Sequence, residues 1–395
     1  MQTIVKIMLT TLVAVVIFGT GAGAGYAIRD CVVDDYPSAE EQQEFSLYWE
    51  VWHRVEEQFY GDLPNEPTST YGAIRGALAT LNDPYTLFIE PEPAAQEKAQ
   101  LEGQFGGIGA FVRQDEEGRI ILEPMPDQPA EKAGLQANDI LVAVDGTPIT
   151  PEMSVDQVVL LIRGEVGTTV VLSVTREGVA EPVDISITRA VIETPSAHWR
   201  ILEEDPQIGY IQLTAFTERS NKELNQAFAE LAEQGVRSLI LDLRGNGGGL
   251  LDAAVDVTSQ FIRNGVVVRE DRKNAGERVY NVRGGGKALD QELVVLVNGG
   301  TASASEIVAG ALQDYGRARL IGEKTFGKGS VQLIYELSND SRLHVTVAKW
   351  FTPNGNVIDG TGLTPDIEVA MTEEDRAEGR DSQLERAISY LQNGE

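Results

Sequence analysis

The chain has 395 residues, too many for one ordinary domain of roughly 100–200, and 42% of them are hydrophobic, so two or three packed units are expected. Its 61 acidic against 32 basic residues give a formal charge of −29, which argues against a nucleic-acid partner, because the phosphates would be repelled. Cys31 is the only cysteine, which excludes an internal disulfide, a cysteine zinc site and an iron–sulfur centre.

From Ile7 to Ile28 the chain carries no charge for 22 residues, with Lys6 before it and Arg29 and Asp30 after it. That length can span a bilayer, and Ala22-Gly23-Ala24 also offers a small-residue cleavage site, so residues 1–30 read as a signal peptide or a membrane anchor. Either reading makes the protein membrane-anchored or secreted, with its bulk extracytoplasmic. Residues 40–102 form a helical region. Glu44 to Tyr60 spaces Phe45, Tyr48, Trp49, Trp52, Val55 and Phe59 three and four apart, which predicts a helix whose aromatic face packs onto a core. Tyr71 to Leu81, stopped by Asn82-Asp83-Pro84, and Pro91 to Leu101 are two further helices.

Between residues 103 and 190 the pattern changes to short strands at Gly109 to Val112, Ile120 to Leu122, Ile140 to Val144 and Thr169 to Val174, with a helix over Ser154 to Ile162. Gly106-Gly107-Ile108-Gly109, Ala133-Gly134-Leu135 and Val144-Asp145-Gly146 resemble a PDZ domain. The resemblance implies that Gly106, Gly107, Ile108 and Gly109 offer backbone N–H groups to a peptide C-terminal carboxylate while the next strand pairs with the peptide.

Residues 191–371 alternate apolar strands (Gly209 to Leu213, Leu239 to Leu243, Leu293 to Val297, Leu343 to Val347) with helices (Lys222 to Glu233, Leu250 to Ile262, Ser305 to Tyr315), which predicts an α/β layered domain. In the tail, 372–395, Thr372 to Asp381 reads as polar and mobile and Gln383 to Gln392 as a closing amphipathic helix.

His53, His198 and His344 are scattered and lie outside any glycine-framed setting, so lysine is the remaining candidate base for a serine nucleophile. Ser303, in Ala302-Ser303-Ala304-Ser305-Glu306, follows a strand and starts a helix, and Lys328 comes 25 positions later in Phe326-Gly327-Lys328-Gly329, with Gln332 beyond it. A serine hydroxyl needs a base, and a lysine can serve only where burial leaves its amine neutral. The glycines around Lys328 allow that close approach, and Gln332 could orient the amine without adding charge. Ser303-x-x-Glu306 also fits a helix capping box, and Ser305 is a second candidate hydroxyl. Asp242-Leu243-Arg244-Gly245-Asn246-Gly247-Gly248-Gly249 can present N–H groups to an oxyanion.

Together with Asn82-Asp83-Pro84-Tyr85-Thr86, these segments resemble, in order and spacing, the C-terminal processing peptidases, the tail-specific serine proteases of peptidase family S41. The resemblance implies Ser303 as nucleophile, Lys328 as general base, Gln332 as its positioning partner, the N–H groups of Ala304 and Gly248 as oxyanion donors, and Arg163 as the arginine coupling PDZ and protease. It implies an α/β fold, a crotonase-like and ClpP-like sandwich with an inserted PDZ domain, that needs no metal or organic cofactor. The expected partners are proteins or peptides with free apolar C-termini. An activating or adaptor protein and a homo-oligomer stay open. Two other readings are a catalytically inactive PDZ scaffold or adaptor, and an acyl-CoA enzyme on the crotonase-like core.

Overall fold

Leu239 and Leu241 face one side of their strand and Ile240 the other, and this alternation organises the larger sheet of the chain's second half. The computed structural model describes residues 38–115, 117–273 and 275–394. A six-stranded sheet runs in the order Ala197–Ile201, Ile208–Leu213, Ser238–Asp242, Glu292–Val297, Arg319–Gly322, Ile367–Glu368. The first pair is antiparallel and every later pair parallel. Parallel neighbours need crossover connections. The helices Ser220–Glu233, Leu251–Phe261 and Ala304–Asp314 supply the first three, burying Leu224, Val257 and Val308 against Leu239, Leu241 and Val295, and the last connection runs through strands of a second sheet. The opposite face, with Ile240, Val294 and Leu296, is covered by the C-terminal helix Ser382–Asn393 through Ala387 and Ile388.

Leu343 to Val347, expected in that same layered domain, belongs to the longer strand Arg342–Phe351 of a second, antiparallel sheet. There it pairs with Leu87–Ile89, Ser330–Glu336 and Val266–Arg272, and Trp350 and Val331 join the core beneath the helices. Residues 110–188 build a separate small core around Leu122, Val158 and Leu172, with strands in the order Ala110–Gln114, Ile120–Pro124, Asp139–Val144, Thr169–Thr175, Val183–Thr188.

Two expectations are corrected. Thr372 to Asp381 is ordered: Glu373–Glu378 is a helix capped by Thr372, the buried Asp375 pairs with Arg380, and Asp381 pairs with Arg244, so partners hidden from local sequence hold it. On the aromatic face of Ala39–Gln58, Phe45 and Trp49 are more than half exposed among the described residues, and the helix is braced by its own Phe45–Tyr48 and Tyr48–Trp52 contacts. This helix lies in a unit, 1–72, distinct from 73–395. The apolar segment at 7–28 lies outside the described residues, and among those described no helix is long and apolar enough to cross a membrane.

Candidate active site

The strand Glu292–Val297 ends in a turn pinned from below. Thr301 Oγ1 donates to Leu243 O at 2.8 Å, and Ala302 N donates to Asn246 O at 3.0 Å. Ser303 then adopts φ 56°, ψ −118°, and the helix Ala304–Asp314 begins at the next residue. A side-chain-bearing residue is strained there, and a strand–turn–helix elbow of this kind is how a fold lifts a nucleophile off the end of a sheet. Gly248 packs directly on the elbow: a β-carbon on it would lie 2.9 Å from Ser303 Cβ and 3.0 Å from Ala304 N, so the φ 106° position has room only for glycine.

Ser305 and Ser303 are not equivalent. Ser305 is fully buried and its Oγ donates to Asn246 O at 2.8 Å, whereas Ser303 is partly accessible and stands at the N-cap of its helix. The two proposed oxyanion donors also differ. Ala304 N–H, the first of its helix, meets no acceptor among the described residues, while Gly248 N–H is taken by Asn246 Oδ1 at 2.9 Å.

Glu306 is more than a helix cap. Its buried carboxylate accepts Ser303 N at 2.9 Å and Lys328 N at 2.9 Å on Oε2, and Gly327 N at 2.8 Å and the Thr325 hydroxyl on Oε1. Two chain segments, the elbow and the loop of the candidate base, are thereby fixed to one group. The capping-box spacing pointed to this residue but not to its long-range role.

Burial pushes the Lys328 ammonium below the usual lysine range, with the Glu97 carboxylate working in the opposite direction. Its Nζ lies 4.9 Å from the centre of the Tyr85 ring. Among the described residues it makes no hydrogen bond or ion pair, and none joins it to Ser303 Oγ. Gln332 does not bond the amine either. It lies opposite Thr346 in the antiparallel ladder, and its amide donates to Ser330 Oγ at 2.8 Å and Thr346 Oγ1 at 3.3 Å.

In the smaller module, Gly106 pairs with Val191, Gly107 with Ala190, Ile108 is buried, and Gly109 takes φ 70°. The next strand, Ala110–Gln114, pairs only with Ile120–Pro124, so its other edge is open among the described residues. Gly106 O accepts Gly164 N at 3.2 Å, next to Arg163. The Arg163 guanidinium stacks on Phe105 at 3.9 Å, its buried Nε has no hydrogen-bond partner, and it borders a cavity of about 400 Å³ with Gln96, Thr194, Ser196 and Thr214. No group of three or more His, Cys, Asp or Glu arranged for a metal occurs among the described residues.

Residues 120–176 match the PDZ domain profile and residues 207–369 that of peptidase family S41. The chain is 36% identical over 347 residues to a carboxy-terminal-processing protease of Bartonella bacilliformis, covering 87% of this chain and 79% of that protein. A carboxyl-terminal-processing protease of Synechocystis is 37% identical over 319 residues, 80% of this chain and 74% of that protein. A crystal structure described as an S41 protease of Bacteroides fragilis, 17% identical, covers 92% of this chain and 100% of its own with a TM-score of 0.51, a likeness of fold. With these relatives, the chain belongs to peptidase family S41 as a carboxy-terminal-processing serine protease that carries a PDZ domain.

Proposed function

We propose that the chain is an endopeptidase working through a Ser303–Lys328 dyad on extracytoplasmic proteins, from a membrane-anchored or secreted position set by residues 1–30. The observation that carries the dyad is the shared Glu306 carboxylate, which fixes the strained Ser303 elbow and the Lys328 loop to one group. The neutral Lys328 amine takes the Ser303 Oγ proton as Oγ attacks the scissile carbonyl carbon. The N–H groups of Ala304 and Gly248 receive the oxyanion, for which the Gly248 N–H must turn from Asn246 Oδ1. Collapse breaks the C–N bond, the leaving amine takes its proton from Lys328, and water then hydrolyses the acyl-enzyme by the same base.

Oγ and Nζ are not hydrogen-bonded to each other among the described residues, so the proposed reaction requires the two to be brought together. The free apolar C-terminus of a substrate supplies the trigger: its carboxylate meets Gly106, Gly107, Ile108 and Gly109, and its backbone adds to the open edge of Ala110–Gln114. The Gly106–Gly164 contact passes that event to Arg163, and Gln332 orients the amine when Oγ and Nζ meet. Cleavage of an unfolded, casein-like protein by wild type, Ser303→Ala and Lys328→Ala, with all three confirmed folded, is the test. Loss of cleavage in both variants is expected; cleavage retained by Ser303→Ala sinks the assignment.

A further inference from the structure

Asn82-Asp83-Pro84-Tyr85-Thr86 stands out in the sequence, yet none of its side chains has a part in the chemistry above. In the fold it is a rigid bracket. Asn82 takes φ 52°, Asp83 Oδ1 accepts Tyr85 N at 3.1 Å, and Asp83 Oδ2 accepts Thr86 Oγ1 at 2.6 Å. Thr86, itself buried, accepts Thr346 N at 3.0 Å, and Thr346 is the residue whose hydroxyl holds the Gln332 amide. The bracket therefore ends on the two groups that matter to the base: Thr346 beside Gln332, and the Tyr85 ring 4.9 Å from Lys328 Nζ.

We propose that Tyr85 is a positioning residue for the Lys328 base, its ring face being the seat on which the amine rests while Asp83 and Thr86 hold that ring in place. This rests on the reading of Lys328 as general base. The face of an aromatic ring attracts an ammonium electrostatically, and an amine with no hydrogen-bond acceptor of its own has otherwise only rotamer preference to fix it. The Tyr85 hydroxyl has no partner among the described residues, so the ring and not the hydroxyl is the working part. The other charged group acting on the amine is Glu97 of the helix Pro91–Glu102, which is itself bonded to His344 at 3.1 Å and Arg342 at 3.3 Å on the facing strand and bonds neither Tyr85 nor Lys328.

The experiment measures kcat and KM of the full chain against pH for wild type, Tyr85→Leu, Tyr85→Phe and Lys328→Ala. Tyr85→Leu keeps apolar bulk but loses the ring quadrupole, so its plateau kcat should fall by about five-fold or more with KM within about two-fold. The ascending limb of its kcat profile should move to lower pH, because the charged amine loses a stabilising partner. Tyr85→Phe should restore both values. A Tyr85→Leu enzyme with wild-type plateau and limb, or with lowered kcat and an unmoved limb, overturns the seat while Lys328→Ala remains dead. An active Lys328→Ala overturns the base assignment itself. If the leucine variant does not fold, Tyr85→Met is read by the same two criteria.

Discussion

Ser303 and Lys328 are joined through one oxygen atom: Oε2 of Glu306 accepts the backbone N–H of each at 2.9 Å. The other oxygen holds Gly327 N and the Thr325 hydroxyl, so four donors converge on one buried carboxylate. Glu306→Gln replaces one acceptor oxygen by a donor that faces two N–H or O–H groups. The loss should be about 2–4 kcal/mol of stability, since buried donors are left unsatisfied. Activity should fall by about a hundred-fold or more, because elbow and base loop lose their common anchor. Thermal unfolding and peptide hydrolysis measured on the same preparation check this; an active variant with wild-type melting removes the anchoring role.

The two hydroxyls of Ala302-Ser303-Ala304-Ser305 separate by what they bond. Ser305→Ala gives up one hydrogen bond to Asn246 O and should cost about 1–2 kcal/mol while leaving cleavage measurable. Ser303→Ala should abolish cleavage with no such loss. Labelling by a serine-directed fluorophosphonate, followed by peptide mapping, should mark Ser303 alone; label on Ser305 reverses the assignment.

Lys328 gives a pH signature in both rate and stability. Burial lowers its pKa in the folded chain, against a smaller opposing push from Glu97. With Lys328 as the proposed base the rate needs the neutral amine, so kcat should rise with pH through that lowered value. For stability, the folded chain sheds this proton before the unfolded chain does, so between the lowered pKa and the ordinary lysine value stability from this group grows with pH. Below the lowered pKa both states hold the proton and the buried charge is a burden. Lys328→Met should therefore melt higher than wild type at neutral pH, with the difference narrowing as pH rises toward about 10.4. A difference that is flat with pH, or wider in alkali, contradicts a buried, charge-burdened amine.

The strands at 239–243 and 293–297 were legible as short continuous apolar runs, because both faces of their sheet are buried. What escaped was long-range pairing. Thr372 to Asp381 is polar along its length and reads as mobile, yet Asp381 meets Arg244, which lies 137 residues earlier. Glu306 shows its cap in the sequence but not its bonds to residues 325–328. Gln332 is expected near the amine from its place after Lys328, but its bond to Thr346 depends on a long-range strand register that local sequence does not show.

Arg244 makes the tail part of the core. It bonds Asp242, Asp381 and Gln383, and Asp242 also receives the Tyr210 hydroxyl at 2.7 Å. Arg244→Met leaves Asp242 buried without its cation and should cost about 3–5 kcal/mol. Limited proteolysis should then release the segment after residue 371 early, while in wild type it resists. Simultaneous loss of all protein, with no early tail cut, would show that the arginine serves the sheet rather than the tail.

The proposed recognition of a substrate's C-terminus can be tested apart from the chemistry. If the N–H groups around Gly106 to Gly109 receive a carboxylate, replacing it by a carboxamide removes a charge-assisted set of hydrogen bonds worth about 1.5–3 kcal/mol, or roughly ten- to hundred-fold in kcat/KM. Because those glycines lie outside the Ser303 elbow, the penalty should appear for substrates that end in apolar residues and vanish for a short peptide cut without docking. Rates for matched acid and amide substrates decide it. Equal rates for the long pair remove carboxylate capture. A slow amide that recovers when free apolar peptide acid is added in trans would place the effect in the Gly106–Gly164–Arg163 linkage and not in tethering of the substrate, since the added peptide fills the module without being joined to the bond that is cut.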